Sequence, residues 1–250
     1  MGDRTIDLSA DVGEDSSDSG RSLDAALIEQ ITTAHIACGG HAGDGTSMAA
    51  AVEACVAAGT RVGAHPSYND RAGFGRRPTS SAPREVAESV VGQVLALSEI
   101  AGSLGTEVHS VKPHGQLYHD LAVKADLRAA VLNALAELEP IPLVVLAASA
   151  RMLEFPEKLN IRLVAEGFMD RRYDALGHLV SRSEPDAVLV DADAVAAQAA
   201  RIASDGLSVE GIRVSVASLC VHSDSPGALA SLVHARALLE ESGFTIAPVS

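Results

Sequence analysis

The segment VGAHPSYND, residues 62–70, is an apolar run that ends in histidine, proline and an acid. This composition is typical of a buried parallel strand that carries polar side chains at its carboxyl end. Three other segments repeat the pattern: IACGGHAGD at 36–44, VKPHG at 111–115 and CVHSDSPG at 220–227. Four such endings in one chain predict a site that is built from several strand ends of a single sheet.

Short apolar runs alternate with longer helix-like runs along the chain. The predicted strands are Thr5–Ala10, Thr33–Cys38, Arg61–Ala64, Val108–Lys112, Leu143–Ala147, Arg162–Glu166 and Val214–Val221. The predicted helices include Thr46–Ala58, Pro83–Leu104, Ala125–Glu137, Ala192–Ser204 and Gly227–Glu241. About seven β-then-α units predict an α/β fold with a TIM-like parallel barrel, complete or incomplete, rather than an open doubly wound sheet.

No repeat, low-complexity tract or linker divides the sequence, so we predict one barrel domain over residues 1–250. The polar stretch Gly167–Asp191 is longer than the usual connection between a strand and a helix. We interpret it as a lid or a rim hairpin over the mouth of the barrel.

The composition excludes several classes of function. The net charge of −14 repels nucleic-acid phosphates and anionic lipid. The longest apolar segment, around Ile141–Ala150, is too short to cross a bilayer, and the acidic segment Met1–Glu14 does not have the character of a signal peptide. The 3 cysteines, without CxxC spacing, indicate neither a disulfide framework nor a structural zinc site. We therefore expect a cytoplasmic protein that binds neither nucleic acid nor membrane.

Strand alternation gathers polar side chains on one face of the barrel. Asp7, Ser9 and Asp11 share one face of the first predicted strand. Buried polar groups are costly unless they find partners, which the catalytic end of a barrel supplies. The residues expected to converge there are Asp11, Glu14, His41, Asp44, His65, Lys112, His114, His222 and Asp224. The remaining histidines, which we interpret as structural, are His35, His109, His119, His178 and His234.

Several candidates have a structural alternative. Asp44 and Asp224 each precede a predicted helix, where an acid also serves as an N-terminal cap. The adjacent arginines Arg76 and Arg77 could together bind a carboxylate or a phosphate. Two solvent-exposed surface arginines without such a role would look the same in sequence. The glycine spacing of residues 40–47 is that of a phosphate-binding loop, but Thr46 stands in place of the essential lysine. The sequence therefore offers no ATP motif of its own.

A divalent metal site is an open alternative. Neutral imidazole and carboxylate suit Zn, Mn or Fe, and the candidate ligands are Asp11, His41 and His65. No HExxH or closely spaced HxH motif is present. The metal hypothesis thus depends on the expected convergence of these side chains.

Several motifs together resemble one known family. They are residues 6–14, 36–44, 63–68, 73–77, 112–118 and 220–222, with DRRY at 170–173 followed by LVSR at 179–182. On these motifs the chain is identified as a member of the LamB/YcsF family. The resemblance implies a seven-stranded parallel β/α barrel, an incomplete TIM-like barrel of the glycoside hydrolase/deacetylase type. It also implies ATP-dependent 5-oxoprolinase activity, the cleavage of 5-oxo-L-proline to L-glutamate, in a complex with B and C subunits.

Under this resemblance, the chain would open a lactam that ATP and the partner subunits activate. His65 or His114 is the expected general base for water, because imidazole titrates near neutral pH. Lys112 would stabilise the developing oxyanion or phosphate, and Asp11 would orient a histidine or bind a metal. The residues expected to hold the substrate are Arg76, Arg77, His41, Asp44 and His222.

Two other functions stay open. One is a free-standing metal-dependent hydrolase or deacetylase that acts on another C–N bond. The other is a non-catalytic subunit that binds a small acid and passes it to a partner. The density of histidines at strand ends argues against the second function, because carboxylate binding alone does not need groups that transfer protons.

Overall fold

Seven parallel strands close into a barrel in the computed structural model, which describes residues 4–140, 142–147 and 161–249. Parts of the apolar segment 141–150 lie outside the described residues. The barrel strands are β1 (Thr5–Val12), β2 (Thr33–Ala37), β3 (Arg61–His65), β4 (Val108–Val111), β5 (Leu143–Ala147), β6 (Leu163–Phe168) and, later in the chain, β9 (Ser218–His222). They pair in that order, and β9 pairs with both β6 and β1. The predicted seven-stranded parallel barrel is confirmed.

Three short strands lie outside the ring. An antiparallel hairpin is formed by β7 (Leu207–Val209) and β8 (Ile212–Val214), and β10 (Thr245–Ile246) pairs with the first two residues of β1. The predicted strand Val214–Val221 is thus wrong in part. Val214 ends the hairpin, and the barrel strand begins only at Ser218.

Helices cover the outside of the barrel. They are α1 (Asp18–Ile28), α2 (Gly45–Ala58), α3 (Pro83–Ser103), α4 (Gly115–Val123), α5 (Ala125–Leu135), α6 (Ala192–Asp205) and α7 (Ala228–Glu241). In α3, Val86, Val90, Val94 and Leu97 are buried and recur every three or four positions, which places one apolar stripe against the barrel. Across the described ranges, no helix combines the length and the apolarity that a bilayer crossing requires.

The inside of the barrel is polar along β1. Asp7 accepts hydrogen bonds from the hydroxyls of Thr33 and Ser218, and Ser9 lies within hydrogen-bond distance of Ser218. Asp11, on the same face of β1 and nearer its carboxyl end, contacts Lys112. These alternate residues of β1 therefore find the partners that their burial requires, and Asp11 is the member that reaches the carboxyl end.

The segment that follows β6 doubles back on itself. Arg171 pairs with Val188 and Tyr173 pairs with Leu179, each in an isolated antiparallel bridge. The buried guanidinium of Arg171 donates to the carbonyl of Val180 at 2.6 Å and thereby ties the two arms together. Residues 179–182 of this segment form one wall of the cavity at the carboxyl end of the barrel.

Candidate active site

The carboxyl ends of the strands open into a cavity of about 420 Å³. We term it the rim cavity. Its polar lining consists of Asp11, His65, Arg76, Lys112, His114, Gln116, Tyr118, His119, Arg171, Ser181, Arg182 and His222. A second cavity of about 370 Å³ shares Tyr118, His119 and Phe168 with it, but its lining includes none of the predicted catalytic residues. The four residues predicted to be catalytic, Asp11, His65, Lys112 and His114, therefore all line the rim cavity.

Three histidines and one glutamate form a compact group, which we term the imidazole cluster: His41, His65, His114 and Glu14. His65 Nε2 lies 3.0 Å from His114 Nδ1. Glu14 Oε1 lies 3.3 Å from His114 Nδ1 and 3.8 Å from His65 Nε2. His41 stacks on His114 with ring centroids 3.6 Å apart, and its Nε2 lies 2.9 Å from Glu14 Oε1. The four residues come from chain at or just past the ends of four different strands.

Glycine lets the chain place these rings so close together. Gly75 has a φ of 64°, in the left-handed region that favours glycine, and a Cβ there would lie 3.0 Å from His41 Cβ and 3.1 Å from His114 Cδ2. A side chain at this position would crowd both histidines, so Gly75 of the GFGRR motif permits the close packing of the imidazole cluster.

Burial keeps the imidazoles of the cluster uncharged. It lowers the pKa of His41 and of His114 to about 4, and it lowers the pKa of His65 well below the usual value. Burial also raises the pKa of Glu14 to about 7, against the attraction of His114. At neutral pH the cluster thus has ring nitrogens with free lone pairs, and a carboxyl group near the midpoint of its titration.

Lys112 is a buried cation at the carboxyl end of β4, with 2% of its surface exposed. Its Nζ lies 2.8 Å from Asp11 Oδ1, 3.0 Å from Glu166 Oε1 and 3.0 Å from Cys220 Sγ. Burial alone would lower the pKa of Lys112, but the attraction of Asp11, Cys220 and Glu166 outweighs it and holds the pKa well above the usual value. The ammonium is therefore charged and held in one place at the wall of the rim cavity.

The two carboxyls beside Lys112 differ from each other. Burial opposes the ionisation of Asp11, but its interactions with His65 and Lys112 hold its pKa well below the usual value. Burial raises the pKa of Glu166 to about 7, since Lys112 offsets the burial only in part. Tyr118 donates its hydroxyl to Glu166 Oε2 at 3.0 Å. Asp11 is thus the principal counter-charge of Lys112.

Guanidinium groups form another wall of the rim cavity. Arg182 Nη1 lies 2.6 Å and Arg76 Nη2 lies 3.3 Å from the same oxygen of Asp224. The sequence left Asp224 open between a helix cap and a site residue, and the structure has Gly227 at the cap of α7. Asp224 therefore positions two cationic side chains at the cavity.

Arg77 does not share the position of Arg76. Its side chain is 67% exposed, lies 3.8 Å from Asp70, and lines a separate surface depression. Phe74 and Gly75 both have φ values in the left-handed region, 54° and 64°, so the chain turns sharply just before the two arginines. The expected fork of two adjacent arginines is therefore not formed in the rim cavity, where Arg182 stands beside Arg76 instead.

Asp44 likewise lies outside the rim cavity. Its carboxylate accepts hydrogen bonds from the backbone amides of Thr46 and Ser47, both at 2.9 Å, and so caps α2. The structure thus gives Asp44 the capping role that the sequence offered as its alternative, and it does not bring Asp44 to the other predicted substrate-binding residues.

His222 reaches the rim cavity from the end of β9. Its ring stacks on Phe168 with centroids 4.8 Å apart, and its Nδ1 lies 3.1 Å from the buried carboxylate of Asp170. Ser225 donates its hydroxyl to the same carboxylate. This second carboxylate–imidazole pair is separate from the imidazole cluster.

Sequence reasoning missed some residues of the site. Glu166 and Tyr118 complete the surroundings of Lys112, and Arg182 lines the cavity. His119, which we interpreted as structural, also lines the cavity, whereas His35 is fully buried inside the barrel with its ring 6.3 Å from that of His65. The signal for Glu166 was an acid at the end of an apolar strand.

The imidazole cluster has the spacing of a metal site. Each of its four residues offers a ligand atom, and these atoms all lie within 4.8 Å of one another. His41 and His65, two of the three predicted metal ligands, belong to this set. The third, Asp11, lies with Oδ2 at 3.4 Å from His65 Nε2, while its Oδ1 contacts Lys112.

The chain is similar to known proteins over its full length. The sequence model of the LamB/YcsF family matches residues 6–250. A protein from Kocuria rhizophila, named as the A subunit of 5-oxoprolinase, is 43% identical over 246 residues, 96% of this chain and 97% of the relative. The crystal structure of the lactam utilization protein from Thermus thermophilus matches with a TM-score of 0.87 at 31% identity, over 98% of this chain and 100% of the other.

A more distant structure shares the fold alone. A family 4 carbohydrate esterase from Streptomyces lividans matches with a TM-score of 0.52 at 16% identity, over 98% of this chain and 93% of the esterase. The barrel is therefore common to both. The chain belongs to the LamB/YcsF family.

Proposed function

We propose that this chain is the A subunit of an ATP-dependent 5-oxoprolinase, which hydrolyses the lactam amide of 5-oxo-L-proline to L-glutamate together with B and C subunits. The names of the full-length relatives support this reaction and an assembly of several subunits. The observation that carries the proposal is the pair of neutral imidazoles, His65 and His114, at 3.0 Å from each other beside the charged Lys112.

The lactam needs activation before water can open it. A five-membered lactam is an unstrained amide, and ATP would activate it by phosphorylating the amide oxygen with release of ADP. Water then attacks the ring carbon, and the C–N bond breaks as the nitrogen takes up a proton. A second water hydrolyses the resulting acyl phosphate to glutamate and phosphate. Because Thr46 replaces the lysine of a phosphate-binding loop, we expect ATP to be a co-substrate that is used with the partner subunits. This chain would then contribute the ring-opening step.

The side chains of the rim cavity match the groups that this step requires. His65 or His114 would accept the proton of the attacking water, as a neutral imidazole can. The ammonium of Lys112, fixed by Asp11, would stabilise negative charge that develops on the activated oxygen. Arg76 and Arg182 would bind the substrate carboxylate.

Release of glutamate from 5-oxoproline tests the proposal. The chain is assayed alone and with its B and C partners, with and without ATP, and we expect release only in the complete mixture. His65→Ala and His114→Ala should abolish this release, whereas His234→Ala, on the exposed side of α7, should not change it. If both cavity variants retain the full rate, the assigned roles of His65 and His114 are wrong.

The metal-like spacing of the imidazole cluster supports a second candidate, a metal-dependent hydrolase of another C–N bond. The same assay separates the two functions. No glutamate in a mixture whose partner subunits are known to be active, together with ATP-independent hydrolysis of a simple amide or N-acetyl compound by the isolated chain, would favour this candidate.

A further inference from the structure

Two backbone carbonyls determine which nitrogens of His65 and His114 carry a proton. His65 Nδ1 lies 2.6 Å from the carbonyl oxygen of Lys112, and His114 Nε2 lies 3.0 Å from that of Phe74. A carbonyl oxygen only accepts, so each of these ring nitrogens donates a proton. In a neutral imidazole the other nitrogen is then an unprotonated acceptor. His65 Nε2 and His114 Nδ1 are therefore both lone-pair atoms.

These two lone-pair atoms face each other. Their separation of 3.0 Å is a hydrogen-bond distance, although neither atom has a proton to donate. Glu14 Oε1, a third acceptor, lies 3.3 Å from His114 Nδ1, and Asp11 Oδ2, a fourth, lies 3.4 Å from His65 Nε2. Acceptors that converge in this way repel one another unless a positive charge lies between them. The geometry thus requires a cation, either a proton or a metal ion.

The distances between these acceptor atoms distinguish a proton from a metal ion. The atoms His65 Nε2, His114 Nδ1 and Glu14 Oε1 form a triangle with sides of 3.0, 3.3 and 3.8 Å. The point equidistant from all three is about 2.0 Å from each, which is the bond length from zinc to imidazole nitrogen and to carboxylate oxygen. A shared proton would engage two of these atoms, whereas a metal ion at this point engages all three.

We propose that His65 Nε2, His114 Nδ1 and Glu14 Oε1 bind one divalent first-row transition-metal ion of the Zn²⁺ class. Imidazole nitrogen and carboxylate oxygen are ligands that such ions prefer. His41 Nε2, at 2.9 Å from Glu14 Oε1, is placed to be a fourth ligand. The hydrogen bonds from the far nitrogens of His65 and His114 to backbone carbonyls are those that typically orient metal-binding histidines.

Asp11 would support this ion by charge. One of its oxygens contacts Lys112 Nζ at 2.8 Å, and the other lies beside His65 Nε2. The sequence left Asp11 open between orienting a histidine and binding a metal, and the structure gives Glu14 the nearer position to two of the three rings. Asp11 would thus stand between the ion and the buried ammonium and reduce the repulsion between them.

The metal proposal goes beyond the proposed function, since binding is measured without substrate or partner subunits. It also changes one role in the proposed reaction. A lone pair that holds a metal ion cannot at the same time accept a proton from water. In the metal-loaded chain, His65 and His114 would therefore hold the ion, and the free imidazoles would not be the base.

Metal content and cobalt spectroscopy test the proposal. The full chain is treated with a chelator, dialysed, and titrated with Zn²⁺, Mn²⁺ and Co²⁺, and bound metal is counted by elemental analysis. We expect about one equivalent of Zn²⁺ or Co²⁺ per chain, visible absorption bands of Co²⁺ with nitrogen ligands, and a higher midpoint of thermal unfolding with metal. His114→Ala and Glu14→Gln should each weaken binding at least tenfold, as loss of groups around a metal commonly does.

The matched control is His234→Ala, which removes an exposed histidine and should bind the metal as the parent chain does. Glu14→Gln keeps the shape of the side chain, so it decides the matter if His114→Ala fails to fold. The proposal is overturned if the chain binds none of the three ions stoichiometrically, or if both variants bind as tightly as the control. Bound metal without glutamate release would refute only the proposed function, and release without bound metal would refute only the metal site.

Discussion

Removal of the buried ammonium of Lys112 gives the sharpest test of the charge balance inside the barrel. Lys112→Met keeps the length of the side chain, but it deprives Asp11 and Glu166 of the positive charge that lies 2.8 and 3.0 Å from them. The removal of one partner from a buried ion pair costs about 3–5 kcal/mol. Since two carboxyls lose the same partner, we expect the free energy of unfolding at pH 8 to fall by about 4–5 kcal/mol, the upper part of this range.

Urea unfolding followed by circular dichroism measures this loss. With a slope of about 2 kcal/mol per molar urea, the expected change moves the midpoint by about 2 M. Arg84→Met is the control, because Arg84 is exposed and forms an i,i+4 pair with the exposed Glu88 at 2.7 Å. Exposed pairs of this kind contribute at most about 1 kcal/mol, so the control should shift the midpoint by no more than about 0.5 M.

The change of this stability loss with pH tests whether it arises from buried negative charge. Burial already raises the pKa of Glu166 to about 7 although Lys112 offsets it in part, so without Lys112 this pKa would rise further and the native variant would bind more protons than the unfolded chain. Stability is then lost as pH rises through the folded pKa, and the deficit against the parent should be smaller at pH 5 than at pH 8. Glu166→Gln in the Lys112→Met background should recover part of the loss. A deficit below about 1 kcal/mol, or one that neither pH nor Glu166→Gln changes, would refute the reasoning.

Three further predictions address other parts of the molecule. Arg182→Leu removes a charged hydrogen-bond donor from the rim cavity, and a bond of this kind contributes about 1.5–3 kcal/mol. The variant should therefore raise KM for 5-oxoproline in the reconstituted complex roughly ten- to hundredfold. Arg77→Leu should leave KM unchanged, and equal effects of the two substitutions would contradict their different positions. Asp44→Ala should lower the free energy of unfolding by about 1 kcal/mol through loss of the α2 cap and leave glutamate release unchanged. Loss of glutamate release at unchanged stability would show that Asp44 acts in the site and not as a cap. Burial lowers the pKa of His35 from 6.5 to about 3, so between these values the unfolded chain binds a proton that the native chain does not, and stability falls as pH falls. His35→Gln should therefore reduce the slope of the free energy of unfolding against pH, between pH 4 and 6, by about 1.4 kcal/mol per pH unit. Urea unfolding measures this slope, with His234→Gln as the control. Equal slopes in the parent chain and in His35→Gln would contradict the prediction.

The barrel could be predicted because its strands are covered on both faces. A strand of this kind is a short continuous apolar run, and Leu143–Ala147 is reproduced with both ends. The other predicted strands up to β6 and all the predicted helices end within two residues of the observed ends. The exceptions are short or polar elements. Val214 belongs to a three-residue hairpin strand, and α1, whose buried residues are only Gly20, Leu27 and Ile28, has too few apolar positions to reveal its period.

The site could be predicted where a polar residue lies within or directly after an apolar strand. His65, Lys112 and His114 were found in this way, since strand alternation and strand ends are local features of sequence. The contacts that join distant segments were not predictable. Nothing near Asp224 in the sequence indicates Arg182, 42 residues away, as the partner of its carboxylate. Adjacent residues can also point to different places, as Arg76 and Arg77 do, because their directions depend on the backbone turn that precedes them. The sequence does not give the geometry of that turn.

The local charges of the rim cavity reconcile an acidic chain with the anionic substrate that we propose. The net charge of −14 would disfavour any anion if it acted as a whole. At physiological ionic strength, however, exposed charges more than about 8 Å apart are largely screened. A small acid inside the cavity therefore responds mainly to its walls, where Arg76, Arg171, Arg182 and Lys112 lie. A nucleic acid needs a broad basic surface and would meet the acidic exterior instead. The same distribution of charge thus disfavours a polyanion and favours a single carboxylate.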